Sequence, residues 1–334
     1  MIGASVDDVV FTSNATSGVN AVLRSRRWSP GDVVLTTNQD YVGCRSALLE
    51  IASRERLEVR VVALPFPLHD PGVFEQRLLD AVDSRVRLAL IDHVTSATGL
   101  VLPIAPVVSE LESRGVEVLV DGAHAPGMVP LDLDALGASY YAGNAYKWLC
   151  APKGTGLLHV RRDRQANLVP GTISVGTRFP RPGRNTFHER FDWPGTTDPT
   201  AWLSLPTAIG FLEDVLPGGM EAVRSQNRAL VLEGRAMLLE LFESEPPAPE
   251  SWIGSMASLP LPPRFTVLAD DPAGSPLSPL VRRLADDHGV EVPIARLDNQ
   301  WILRISAQIY NSPDQYKYLA DVLQTLAAER PSEA

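Results

Sequence analysis

Lysine is scarce in this chain: of 30 basic side chains only three are lysine, at positions 147, 153 and 317. Arginine carries the remaining positive charge, so a lysine at a strand end is not a generic surface cation. Cysteine is scarcer still. Cys44 and Cys150 are the only two, too few for a disulfide framework and without metal-ligand spacing. That excludes a disulfide-stapled secreted scaffold, leaves no metal site to expect, and makes a reduced, cytoplasmic setting the expectation. No apolar run reaches the ~18 residues of a membrane helix, and no basic-then-apolar leader opens the chain. Positive charge is in deficit, with a net charge of −10, a pI near 5.1 and no long basic run. Nucleic acid and anionic membranes are therefore not expected partners. There is no internal repeat and no low-complexity segment.

What is present is an ordinary globular composition, 45% hydrophobic and 21% charged, over 334 residues. That length exceeds the ~250–300 at which a single core stops growing. A large domain over 1–220 is expected, followed over 221–334 by a bridging helix and a small C-terminal domain. Short apolar strands at Asp7–Thr12, Val33–Thr37, Glu58–Ala63, Val86–Asp92, Val116–Val120 and Leu157–Val160 alternate with helical patterns near Val19, Gly43–Arg54, Val73–Val82 and Ile104–Arg114. This alternation predicts an α/β fold of right-handed β-α-β units, with a mostly parallel sheet covered on both faces. Ligands of such sheets bind beyond the C-terminal strand ends. Residues 163–198 read as a loop rich in Pro, Gly and Arg, of a length usually functional or interfacial. Pro199–Leu216 and Met220–Phe242 read as helices. The remainder reads as a proline-rich connector (Pro246–Pro263), strands at Arg264–Leu268, Val290–Ile294 and Trp301–Ser306, and helices at Pro279–His288 and Pro313–Glu329, a small α+β arrangement.

The densest stretch runs from Val118 to Lys147. An apolar strand ends in Asp121-Gly122-Ala123-His124, and Lys147 follows the next strand 26 residues after Asp121. A carboxylate for a pyridine nitrogen and an amine for an aldehyde are the minimum that pyridoxal phosphate (PLP) needs. His124 can reach the ring face or its phenolic oxygen. Each residue also has an ordinary reading: Asp121 as a cap of the Asp-Gly turn, His124 as a partly buried histidine, Lys147 as a solvated turn lysine. Thr12–Gly18, a polar turn opening a helix, is either an anion cradle or plain N-capping.

Four stretches, Thr12–Val19, Val118–Gly127, Gly143–Gly154 and Leu303–Asn311, resemble the class V aminotransferase superfamily, PLP enzymes of fold type I. DHVTSATGLVLP (92–103), VDGAHAPG (120–127) and GNAYKWLCAPKGTGLLHV (143–160) resemble its isopenicillin N epimerase-like subgroup. The resemblance covers practically the whole chain. It implies a fold type I PLP-dependent transferase-like architecture, with a small-molecule amino-acid substrate and a homodimer that shares its active sites. Lys147 would carry PLP covalently and later shuttle protons. Asp121 would pair with the pyridine nitrogen, His124 would bond the ring hydroxyl with Ser96 nearby, and Tyr41 would stack on the ring. Ala15, Thr16, Asn144 and Tyr146 would hold the phosphate, with Thr196 reaching the phosphate of the neighbouring subunit. Arg304 falls where the family clamps a substrate carboxylate, a task suited to a bidentate guanidinium. The family also carries a glycine-rich N-terminal segment that this sequence lacks. A truncated or misplaced start is the expectation, with activity dependent on the missing part.

The superfamily's reactions include transamination, epimerisation, cysteine desulfuration and C–S lysis. A desulfurase is expected to need a nucleophilic cysteine upstream of the carboxylate arginine, and none lies between Leu268 and Arg304. The sequence reading therefore excludes a cysteine desulfurase and treats Cys150 as a small packed residue. Epimerisation needs Lys147 on one face of the carbanion and a second proton carrier on the other; Tyr41, His188 and Tyr310 are the candidates. The leading expectation is a PLP enzyme acting at the α-carbon of an amino acid or amino-acid-derived metabolite, epimerase-like. A C–S lyase or an aminotransferase is the alternative, and a non-catalytic PLP-binding protein a further one.

Overall fold

The structure is a computed structural model that describes residues 1–270 and 278–329. The chain divides into two compact units. The first comprises residues 1–64, 70–96 and 102–220; the second comprises 65–69, 97–101 and the chain from 221 onward.

The first unit is built on seven strands: β1 (Val9–Thr12), β2 (Val33–Thr37), β3 (Glu58–Val62), β4 (Val86–Asp92), β5 (Glu117–Gly122), β6 (Tyr140–Asn144) and β7 (Gly156–Val160). They lie in the order β1-β7-β6-β5-β4-β2-β3. Only β7 runs against the others, pairing antiparallel with both β1 and β6. The helices are α1 (Ala15–Ser25), α2 (Val42–Glu55), α3 (Pro71–Asp80), α4 (Ile104–Ser113), α5 (Leu133–Leu136), α6 (Val175–Arg178), α7 (Thr186–Phe191), α8 (Thr200–Leu203) and α9 (Leu205–Asp214). The mostly parallel α/β sheet is the predicted one. Its central strands are apolar runs because both faces are covered. On one face Leu88, Leu90, Leu119, Tyr140, Ala142, Leu158 and Val160 pack with Ala15, Val19 and Val22 of α1 and Cys44, Leu48 and Ile51 of α2. Each buried aliphatic side chain there contributes ~1.5–3 kcal/mol.

Strand alternation carries this division to the C-terminal tips. Asp92, Asp121 and Asn144 continue the α1/α2 face, while His93, Gly122 and Gly143 fall on the other. The 163–198 segment is not a bare loop. It contains α6 and α7, and the Arg190 guanidinium donates to the carbonyls of Gln165, Ala166 and Leu168 at 3.4, 2.7 and 3.0 Å.

The second unit contains most of α10 (Gly219–Phe242), then β8 (Met256–Pro260), α11 (Pro263–Ala269), α12 (Pro279–His288), β9 (Ile294–Leu297), β10 (Gln300–Ser306) and α13 (Pro313–Ala328). Its sheet is antiparallel, ordered β8-β10-β9. Three expectations fail here. Arg264–Leu268 is helical, because Pro262 and Pro263 open a helix whose Phe265 and Ala269, one turn apart, are both buried. The expected connector holds β8, which borrows its strand character from pairing with β10. Residues 290–293 are irregular, and the strand starts at Ile294. Among the described residues, no helix is long and apolar enough to cross a membrane.

Candidate active site

At the tip of β5 the Asp121 carboxyl is 3% exposed. Its Oδ1 accepts the Ala123 N–H and its Oδ2 accepts the Cys44 thiol, each at 3.0 Å. Cys44 comes from the first turn of α2, and Thr16 of α1 bonds the same thiol. Burial, then the Asp121 charge, pushes the Cys44 thiol far above its usual range, so it donates and does not act as a thiolate. Across the parallel register from Asp121 stands Asp92, also 3% exposed. Burial raises both carboxyls. The charges of Asp121 and Asp40 raise Asp92 further, while the Cys44 and Ala123 donors hold Asp121 back. Asp40 is neutralised by Arg45, whose Nε and Nη2 reach it at 2.5 and 2.8 Å.

The amine of Lys147 is positioned by His124. Lys147 Nζ lies 3.0 Å from His124 Nε2, and Trp148 Nε1–H donates to His124 Nδ1 at 3.3 Å. An indole nitrogen only donates, so Nδ1 is the acceptor and a neutral His124 carries its proton on Nε2. The tautomer follows from this hydrogen-bond logic. The turn bearing Lys147 is pressed against Gly127. At φ +89 this position takes glycine, and a Cβ there would stand 2.7 Å from the Trp148 carbonyl carbon.

A third group gathers at the N-terminus of α1. Asn14 Oδ1 accepts the Ser17 N–H at 2.8 Å, Asn144 Oδ1 accepts the Ala15 N–H at 2.7 Å, and the Ser13 and Ser17 hydroxyls meet at 2.7 Å. Plain N-capping is thus realised by Asn14, and Asn144 ties the tip of β6 to the same helix end. Gly156 allows this approach, since a Cβ there would stand 2.5 Å from Asn14 Cα.

The structure therefore joins Ala15 with Asn144, Thr16 with Asp121 through Cys44, and His124 with Lys147. Tyr41 is the N-cap residue of α2 and 42% exposed. Burial, then Tyr41 and Asp121, raises the Tyr146 phenol above its ordinary range, which places these three near one another. Ser96 sits half-buried in the turn after β4. Thr196 is exposed in the loop between α7 and α8, and no hydrogen bond among the described residues ties it to the group. Arg304 belongs to the second unit, on the central strand β10; burial lowers its guanidinium from the usual value. Of the proposed second proton carriers, His188 lies in α7 beside Asp192 at 3.8 Å, and Tyr310 is a 77% exposed residue of the second unit. Cys150 is not a packed residue: it is exposed, at φ +56, because the tight turn after Lys147 turns it outward. Sequence reasoning missed Asp92, Cys44 and Trp148. An available signal was the repeated pattern of an apolar run closed by aspartate, LALID at 88–92 and VLVD at 118–121.

The aminotransferase class-V family model matches residues 1–250. The chain belongs to that family. It is 34% identical to an isopenicillin N epimerase of Amycolatopsis lactamdurans and 32% identical to one of Streptomyces clavuligerus, in each case over 98% of this chain and 82% of the relative. It is 30% identical to a putative L-cysteine desulfhydrase of Oryza sativa subsp. japonica, over 97% of this chain and 72% of that one. Solved structures share the fold. The apo cysteine desulfurase of Thermococcus onnurineus NA1 superposes with a TM-score of 0.77 at 21% identity, covering 98% of this chain and 80% of that one. A C-DES mutant with glycine covalently linked to its PLP cofactor gives 0.75 at 21% identity, with 98% and 82% covered. These likenesses overturn the exclusion of cysteine desulfurases. The missing cysteine between Leu268 and Arg304 bears only on sulfur transfer to a protein thiol. Breaking a Cβ–S bond needs a base at Cα and a thiolate leaving group.

Proposed function

We propose that this chain is a PLP-dependent enzyme that removes the α-proton of an amino acid or amino-acid-derived metabolite, with an epimerase-like outcome. The observation that carries the reading is Lys147, held by His124 at 3.0 Å within the strand-tip group that contains the buried Asp121. The residues fit the cofactor. Asp121 offers a buried carboxylate to the ring nitrogen, His124 an imidazole beside the ring hydroxyl, Tyr41 a ring to stack, and α1 with Thr16, Asn144 and Tyr146 a place for the phosphate. When bound, PLP supplies an electron sink for the carbanion formed at the α-carbon.

Lys147 is the residue that takes the α-proton. His124 orients its amine, and the Trp148 indole in turn holds His124 through Nδ1. Epimerisation returns a proton to the opposite face, a task for which Tyr41 is the candidate nearest the group. Thr196, exposed on its loop, is assigned to the partner's site in a homodimer, and the setting is cytoplasmic. The test is incubation of PLP-loaded protein with an amino-acid panel in D₂O, followed by mass spectrometry. The expected result is deuterium at Cα with scrambled configuration, lost in Lys147→Ala together with the absorbance band formed on adding PLP. Persistence of both in that variant would sink the assignment. The desulfhydrase relative supports a second reading, C–S lysis of cysteine or a cysteine conjugate; pyruvate with a sulfur product would identify it.

A further inference from the structure

Asp92 and Asp121 are register partners on adjacent parallel strands, so their side chains leave the sheet on one face, one strand spacing of ~4.8 Å apart. Two carboxyls so close and so buried do not both ionise. Their surroundings decide which keeps a proton. Asp121 accepts from the Ala123 N–H and the Cys44 thiol, and donors aimed at a carboxylate favour its charged form. Neither oxygen of Asp92 has a hydrogen-bond partner among the described residues.

The groups facing Asp92 are mostly acids or neutral. From β5 comes Asp121. From the end of β2 and the start of α2 come Asp40, already paired with Arg45, and the protonated thiol of Cys44. Lys147 and Arg45 act on Asp92 less than the acids do. On its own strand end, His93 turns to the opposite face and meets the Tyr141 hydroxyl. A buried acid with no donor and two acidic neighbours is the member that binds the proton.

We propose that Asp92 is a positioning residue: it holds the proton of the pair as a neutral acid and leaves Asp121 as the ionised member that faces the cofactor's ring nitrogen. The purpose of this arrangement rests on the PLP reading; the location of the proton does not. Pairing with a protonated pyridine requires a charged Asp121, and a neutral Asp92 spares the site a second buried charge.

Infrared spectra of the full chain at neutral pH test it, with and without PLP. The cofactor-free wild type shows the C=O stretch of a protonated carboxyl, shifted in D₂O. Asp92→Asn removes it and Asp121→Asn leaves it. No such band in the wild type, which needs no variant to fold, overturns the proposal, as does a band lost only in Asp121→Asn. PLP affinity supplies the second readout. Asp92→Asn, whose amide imitates a neutral acid, binds PLP within about 3-fold of wild type, and Asp121→Asn weakens binding about 10-fold or more. Equal weakening by both variants shows charge on Asp92 and overturns the assignment. A wild type with the expected band but no uptake of PLP overturns the cofactor reading and the positioning role, while the proton stays on Asp92.

Discussion

The two faces of the sheet at the tips of β4, β5 and β6 treat their polar groups in opposite ways. On the far face His93 Nδ1 meets the Tyr141 hydroxyl at 2.8 Å, with the rings edge-on at 6.0 Å. Gly122 makes the room: a Cβ there would stand 2.1 Å from the Tyr141 ring. That face is complete. On the α1/α2 face Asp92 is unsatisfied and set beside another acid, an arrangement that costs folding free energy unless it serves something else. The faces differ in that one of them leaves a buried carboxyl, Asp92, unsatisfied.

The largest effect expected from breaking this contrast is on the functional face. Lys147→Ala should lower Cα–H exchange by about 10²–10⁴-fold with an unchanged circular dichroism spectrum. A variant that keeps exchange within a few-fold removes Lys147 from the chemistry. On the far face, Gly122→Ala should cost about 1–3 kcal/mol through overpacking against Tyr141. Urea unfolding measures the loss, and specific activity per folded molecule should be retained. A smaller and more discriminating effect is in pH. The folded Asp92 carboxyl is raised above its unfolded value, so its contribution is full below the ordinary carboxylate range and is lost as pH rises through the folded pKa. Burial depresses His93 from 6.5 to about 4, so its contribution is full above the unfolded value and is lost as pH falls through about 4. Melting curves across pH should show Asp92→Asn flattening the alkaline decline and His93→Gln the acid one; a swapped pattern reverses the comparison. Least of all is expected from the surface cluster of half-buried Arg60 and Glu58 with exposed Arg85 and Asp83. Arg85→Ala should leave melting temperature and exchange unchanged within error, because exposed ion pairs are screened by water and salt.

The alternating strands and helices of the first unit were legible because continuous apolar runs of 4–7 residues between turn signals leave few other folds. Asp121 was legible because it closes such a run, and Lys147 because lysine is rare. Asp92 closes one too, yet its meaning depends on lying level with Asp121, 29 positions away, and strand register is not written in either segment. Cys44 is similar: nothing in helix α2 announces that its thiol will cap a carboxylate on β5. In the second unit, RFTVL looks like a strand until Pro262 and Pro263 are taken as helix openers. MASLP looks like a loop until β10 lies beside it.

β4 closes on an acid and a base in succession, and the pleat sends Asp92 to one side and His93 to the other. Alignment of this strand is therefore a chemical setting as well as a mechanical one. Sliding β4 by a single residue against β5 would exchange the two side chains. The imidazole would come to lie beside Asp121 beneath α1 and α2, and the carboxyl would press on the Tyr141 hydroxyl. An acid beside an acid would become an acid facing a base, and the charge of Asp121 would be countered from within. One inserted residue in β4 would thus reset the charge of this face without a substitution at Asp92 or Asp121.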